Sequence, residues 1–332
     1  MFARCPDTYQ TLNPGDTLSR TGRELLPGWT ESVTHCVAMA GARASGKSLY
    51  MAVLIKQLEL LARQRFQHVV VTPADSSTKQ RYSEKYERPL YQEMKHMPPT
   101  PTSANVDAYQ REPFIFNLGE WPAPDGVMRK NYLVIRDVAG EDLENPTVDP
   151  ASMEFFQHAD LVIMLFDPLK VPAIATYLAG LIPIQSGLGG NPEDVFRNLM
   201  RLLGSQRPQL ALAVSKFDTL QTLDRLSDSN WKHIMGNLGA AFRRDNGFDY
   251  DPLSQQVLHL EVGSLLRLMD ARSLINMVES EYRDAPYQYF AVSALGEAPR
   301  GENLSRKGIA PYRCLDPLLW YLSNHGVFVR SE

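Results

Sequence analysis

Cysteine is scarce in this chain. Three residues, Cys5, Cys36 and Cys314, are spread over 332 positions with no CxxC pair, which removes both a disulfide framework and a zinc ribbon from consideration. Long apolar runs are missing too: none approaches the roughly 20 residues of a membrane span, and the start, Met1 to Asp7, lacks the apolar core of a signal peptide. A cytoplasmic location without membrane insertion is the expectation. There is no basic excess either, since 34 Lys and Arg stand against 38 Asp and Glu for a net charge of −4. That balance argues against a nucleic-acid partner or a polybasic membrane surface. No repeat or low-complexity tract interrupts the chain. A hydrophobic share of 44% with 22% charged residues is that of an ordinary globular protein, long enough for one large α/β domain or two modest ones.

What is present begins with Gly41-Ala-Arg-Ala-Ser-Gly46-Lys47-Ser48, placed between the apolar run 34–40 and a helical pattern from Leu49 to Leu61. Strand, glycine-rich loop and helix, in that order, form the context of a phosphate-binding loop. Glycines allow successive backbone N–H groups to turn inward around an anion, and the helix start adds its positive end. The expected binding set is Gly41, Ala44, Ser45, Gly46, Lys47, Ser48 and Leu49, with Lys47 reaching the β- and γ-phosphates and Ser48 ligating Mg²⁺.

Three further strand ends carry polar motifs. The run 131–136 closes on Asp137-Val-Ala-Gly140, where a carboxylate can hold the water shell of Mg²⁺ and a glycine N–H can sense the γ-phosphate. The run 209–214 closes on Ser215-Lys216-Phe217-Asp218. A carboxylate there can accept two hydrogen bonds from guanine, a pair of donors that adenine lacks; a helix-capping role would use the same residues. The run 289–292 closes on Ser293-Ala294-Leu295, where the Ala294 N–H can meet the guanine O6.

Taken in order, these four motifs resemble those of the translation-factor and Ras-like (TRAFAC) class of GTPases, over about 34–322. The long inserts and the closing segment 313–322 look most like the bacterial double-GTPase family, whose members are inferred to act as nucleotide-controlled switches in multi-protein bacterial systems, some linked to conflict or defence. The resemblance implies an α/β P-loop NTPase fold with a Ras-like, mostly parallel sheet, one antiparallel edge strand, helices on both faces and helical inserts. It also implies bound GTP or GDP, Mg²⁺, and an effector or activating protein as partner. Departures are plain. Ser215 stands where Asn or Thr is usual, Leu295 where Lys is usual, and Arg43 at a loop position that is often glycine. Glu141 follows Gly140 where many relatives place a water-orienting Gln, and an ionised carboxylate cannot donate a hydrogen bond. The catalytic set is Lys47, Glu141, Arg43 and Gly140, with Arg43 able either to act as an arginine finger in cis or to block a partner's finger.

Residues 1–33, with Pro6, Pro14, Pro27 and Gly28 and no clear period, read as an irregular leader over a single domain, 34–332. Inserts are expected at about 66–112 and 219–286. The first contains an extra strand at 68–72, a polar stretch from Asp75 to Glu87 and a Pro-Thr segment. In that segment Thr100 or Thr102 is the candidate switch threonine, with Thr102 in the metal set beside Ser48 and Asp137. Segments 113–118 and 132–136 flank Asp125-Gly126 as an antiparallel pair. Helices are expected at 171–181, 192–203, 231–244, 253–282 and 313–323. The leading expectation is a Mg²⁺-dependent GTP-binding switch with slow hydrolysis; a P-loop scaffold without turnover and an ATP-dependent P-loop enzyme are the alternatives.

Overall fold

The computed structural model describes residues 3–66, 69–95, 97, 102, 112–123, 125–183, 189–227, 229–297 and 308–329. Strand β1 (Val33–Gly41) is buried along its whole length and feeds the glycine-rich loop and α1 (Lys47–Arg65). A two-residue strand, β2 (Thr72–Pro73), precedes α2 (Ser76–Tyr82), which widens into a π-type helix over Ser83–Gln92. The hairpin of β3 (Phe114–Pro122) and β4 (Met128–Arg136) leads to the short α3 (Gly140–Glu144), then β5 (Leu161–Phe166), α4 (Pro172–Leu178) and α5 (Pro192–Leu203). Next come β6 (Gln209–Val214), α6 (Phe217–Gln221), α7 (Ser229–Gly236), α8 (Pro252–Leu268) and α9 (Arg272–Glu281). The last elements are β7 (Tyr287–Ala291) and α10 (Asp316–Ser323).

The sheet order is β2-β3-β4-β1-β5-β6-β7. Pairings from β4 through β7 are all parallel, and β3 runs antiparallel to both β4 and β2. This is a mostly parallel α/β P-loop sheet with an antiparallel edge, extended outward by β2. Strands β5 and β6 are nearly continuous apolar runs because helices cover both faces, so neither face can be polar. Parallel pairing also puts the C-terminal ends of β1, β4, β5, β6 and β7 on one rim. Chain order reverses beside β1, with β4 on one side and β5 on the other, which opens a crevice for a ligand at that rim.

The polar stretch at 75–87 is helical, a difference with a visible cause. Asp75 caps α2 by accepting from the Thr78 N–H at 2.6 Å, and Thr78, Tyr82, Tyr86 and Leu90, spaced four residues apart across α2 and the π-type helix, form the narrow buried face. Pro89 has no N–H to donate, which suits the widened turn. The extra strand is shorter than 68–72: residues 69–71 are irregular, residue 68 lies outside the described residues, and only Thr72 joins β2. The helix expected over 231–244 stops at Gly236, with a single 3-10 turn at Ala241–Arg243. On α8, Leu258, Leu265 and Leu266 are buried, whereas Leu260 and Leu268 face solvent.

Parts of the leader enter the core. Tyr9 is wholly buried, its hydroxyl at 2.9 Å from the carbonyl of Val37 on β1 and 3.3 Å from that of Val134 on β4. Trp29 stacks on Tyr132 of β4 at 4.8 Å between ring centres and donates to the Arg4 carbonyl at 2.8 Å.

Candidate functional site

The glycine-rich loop leaves β1 with Gly41 at φ 138°, and Ala44 and Gly46 both lie in the left-handed region at 57° and 93°. A left-handed residue next to right-handed ones turns N–H groups to one side, which is the geometry of an anion nest. Gly46 caps α1 without any side-chain hydrogen bond to the helix start, so the first N–H groups are not taken by a capping side chain. The Ser45 hydroxyl is buried and finds no hydrogen-bond partner among the described residues. Leu49 is half-buried in the first turn.

Lys47 is 5% exposed, and its ammonium donates to the carbonyls of Gly41 at 2.8 Å and Ala42 at 2.9 Å. Burial pulls its pKa down, against the opposing pull of the Asp137 charge. Ser48 donates to Asp137 Oδ2 at 2.6 Å, so the phosphate-loop hydroxyl and the strand-end carboxylate are in direct contact. Tyr86, from the helix the sequence did not disclose, donates to the same Oδ2 at 3.0 Å. Asp137 Oδ1 is buried and without a hydrogen-bond partner among the described residues. Burial raises the Asp137 pKa, and the Ser48 bond and Lys47 charge oppose that.

The Asp137 carboxylate gives a direct test of whether Mg²⁺ fits. An orphaned carboxylate oxygen, beside a hydroxyl that keeps lone pairs after donating, offers the hard oxygen donors Mg²⁺ takes. Among the described residues no group of three or more His, Cys, Asp or Glu could cage a metal. A site of one carboxylate and one hydroxyl, completed by water and phosphate, is the usual arrangement for this ion. The residues fit.

The loop is covered on one side by α3. A Cβ added to Gly140 would lie 2.1 Å from the Arg43 nitrogen, so only glycine allows this approach. Arg43 Nε pairs with Glu141 Oε1 at 3.1 Å, and the Arg43 backbone N–H donates to Glu144 Oε1 at 2.5 Å. From the far side, Gly189 N–H donates to the Arg43 carbonyl at 3.2 Å. Thr100 lies outside the described residues. Thr102 is half-buried in irregular chain, with no hydrogen bond to Ser48 or Asp137 among the described residues.

Along the rim, Ser293 Oγ donates to Asp218 Oδ1 at 2.6 Å, and Gly296 N–H donates to the same hydroxyl at 2.9 Å. Burial raises the Asp218 pKa, opposed by the Ser293 bond. Lys216 adopts the left-handed region, φ 49°, and its ammonium pairs with Asp167 Oδ2 at 2.7 Å; Asp167 itself is 2% exposed and its other oxygen accepts from Leu169 N–H. Ser215 Oγ donates to the Phe166 carbonyl at the end of β5 at 3.1 Å. Ala294 and Leu295 are half-buried beside Ser293. The sequence-based residues therefore fall into two groups on one rim, one at the glycine-rich loop around Ser48 and Asp137 and a second around Asp218 and Ser293. Tyr86 and Glu144 are the members that sequence reasoning missed.

No protein-family model matches the chain. Over 307 residues it is 45% identical to a Mycolicibacterium smegmatis protein named "Putative ESX-1 scaffolding and assembly protein SaeC", covering 91% of this chain and 78% of that one. Solved structures similar to it include a bacterial selenocysteine-specific elongation factor, EF-Sec (12% identity, TM-score 0.29, 90% of this chain and 29% of that one). The Saccharomyces cerevisiae Ski7 GTPase-like domain bound to GTP is 10% identical, with TM-score 0.34 over 90% and 51%. The G domain of the Thermotoga maritima FeoB iron transporter is 12% identical, with TM-score 0.24 over 56% and 74%. At these scores the fold assignment rests on the chain's own strand order and phosphate loop.

Proposed function

The chain belongs to the family of the Mycolicibacterium smegmatis protein SaeC, and from that premise and the rim geometry we propose a Mg²⁺-dependent GTP-binding switch that governs a protein assembly. The observation that carries the reading is the meeting of Ser48 and Asp137 at 2.6 Å beside an orphaned Asp137 oxygen. In it the N–H groups of 44–49 cradle the phosphates and Lys47 turns from its loop carbonyls to them. Ser48 and Asp137 would hold Mg²⁺, and Tyr86 fixes the Asp137 carboxylate. Bound Mg²⁺ would neutralise charge developing between the β- and γ-phosphates. Asp218 reads guanine N1–H and its amino group, Ser293 orients Asp218, and the Ala294–Leu295 backbone lies against the base.

Hydrolysis is slow in this reading. Glu141 and Arg43 are engaged with each other, so each spends its charge on the other rather than on a water or a phosphate. The partner is a protein, an effector or an activator, as suits kinship with a protein named for scaffolding and assembly. The double-GTPase resemblance belongs to the same proposal, a switch in a bacterial multi-protein system. A second reading, a scaffold without turnover, is favoured by the same Arg43–Glu141 pair.

Equilibrium binding of GDP, GTP, ATP and xanthosine nucleotides to the native protein and to Asp218→Asn tests the reading. The amide donates where the carboxylate accepted, so the variant should lose guanine affinity by roughly tenfold to a hundredfold and gain xanthine preference. Native binding without guanine preference would discard GTP as the ligand. Single-turnover hydrolysis abolished by Lys47→Ala would exclude the scaffold.

A further inference from the structure

Helix α8 carries apolar residues on two sides, and the core takes only one of them. Leu258, Val262, Leu265 and Leu266 are buried. On the other side Leu253, Val257, Leu260 and Leu268 are 73%, 45%, 62% and 59% exposed, with Ser264, also exposed, between the last two. At 100° per residue these five positions fall within a strip roughly 80° wide and about 22 Å long, straight along the helix. A solvated helix face carries charged and polar residues; here the charges nearest the strip are used inside the chain. Glu261 Oε2 accepts from the N–H groups of Ala241 and Phe242 at 2.6 and 3.2 Å, and Arg267 pairs with Glu279 of α9 at 2.6 Å. Together the four apolar residues expose on the order of 400 Å², as much as the largest apolar patch of an ordinary monomer, and patches of that size are often functional.

We propose that this strip is a self-association surface, on which a second copy of the chain pairs antiparallel about a two-fold axis near Leu260. The pattern itself selects the occupant. A two-fold contact must be self-complementary, and the strip is symmetric about its middle: Leu253 of one copy lies over Leu268 of the other, Leu260 meets Leu260, and Val257 packs over the small Ser264. An uncharged strip gives an acidic or basic partner nothing to pair with, whereas a copy of itself brings no like charges together along its length. At the ends, Asp251, the exposed cap of α8, comes beside the exposed Arg272 that opens α9, twice in the dimer. Asp270 at the same end subtracts from that attraction, so the apolar strip carries the pairing. About 400 Å² per copy is half of what a stable interface buries on each side, which makes the dimer weak and concentration-dependent. The inference is independent of nucleotide binding.

Sedimentation velocity of the full chain over a concentration series tests this. The native protein should pass from monomer to dimer with a midpoint of roughly 100 µM. Leu260→Glu sets two carboxylates at the axis and should weaken the dimer roughly tenfold or more. Leu253→Glu and Leu268→Lys should each weaken it alone, and an equimolar mixture of the two should recover it to within about threefold of native, because the antiparallel register puts glutamate against lysine. All three side chains are exposed, so these changes leave the core untouched. Native protein that stays monomeric throughout would overturn the proposal and leave the strip to a different protein. A dimer indifferent to Leu260→Glu would place the contact elsewhere on the molecule, and a mixture no stronger than its two components would overturn the antiparallel register.

Discussion

Ser48 and Asp137 are 89 positions apart in the chain, yet the hydroxyl of one donates to the carboxylate of the other at 2.6 Å. Parallel pairing of β1 with β4 is the reason: Ala38 lies opposite Arg136, so the loop after one strand and the residue after the other share a rim.

That contact predicts a metal-specific defect. Ser48→Ala should weaken GTP binding about tenfold or more with Mg²⁺ present and hardly at all in excess chelator, since the alanine removes one ligand and leaves the phosphate nest intact. Calorimetric titration with and without chelator separates the two conditions; an equal loss in both would place Ser48 outside the metal site.

Tyr86→Phe keeps the ring and deletes the donor to Asp137. A buried carboxylate that loses one of two donors is destabilised by about 1–3 kcal/mol. The expected outcome is a lower urea midpoint in the nucleotide-free protein and a higher Mg²⁺ requirement for GTP binding. A midpoint shift alone would make Tyr86 purely structural.

Gly140→Ala forces a methyl group against the Arg43 backbone. Backbone cannot yield as a flexible side chain does, so the end of β4 or the phosphate loop must shift, at about 1–3 kcal/mol. Nucleotide affinity should fall together with stability. Gly126→Ala, at the open hairpin turn with φ 79° and nothing within 4 Å of an added Cβ, should affect stability alone.

His35 sets a pH window. It is fully buried, donating from Nε2 to Asn131 at 2.8 Å and accepting from the Tyr321 hydroxyl at 3.1 Å. Burial lowers its pKa from 6.5 to about 4. The unfolded state takes up the proton first, so this stabilisation is whole above pH 6.5 and falls away as pH drops from 6.5 to about 4, by about 3 kcal/mol at most. Carboxylates such as Asp160, whose pKa burial raises, act with the opposite sign. The difference in urea stability between the native protein and His35→Gln, followed from pH 7.5 to 4.5, isolates the histidine; a pH-independent difference would contradict the assignment.

The sheet was legible because buried parallel strands are nearly unbroken apolar runs, as in 161–166 and 210–214, and because each ends in a polar motif on one rim. The phosphate loop was legible from strand, glycines and helix in sequence order. What stayed hidden has a physical cause in each case. The 76–92 helix buries a narrow stripe of Thr78, Tyr82, Tyr86 and Leu90 among charged residues, and its proline reads as a break. Glu144 is an unremarked acid in sequence; its contact with Arg43 exists only once β1 and β4 lie side by side. The leader carries no period, so Tyr9 and Trp29 give no sign that they pack against β1 and β4.

All three thiols are buried: Cys5 in the leader, Cys36 in the central strand, and Cys314 donating to the Ser293 carbonyl at 3.1 Å. Burial also pushes the Cys36 and Cys314 pKa values up, which keeps them as unreactive thiols. Each is therefore a built-in clock. The rate at which an alkylating reagent marks Cys5, Cys36 or Cys314 times the opening of the leader, the central sheet and the Ser293 end of the rim separately, and on the proposed reading added nucleotide should slow the Cys314 clock before the others.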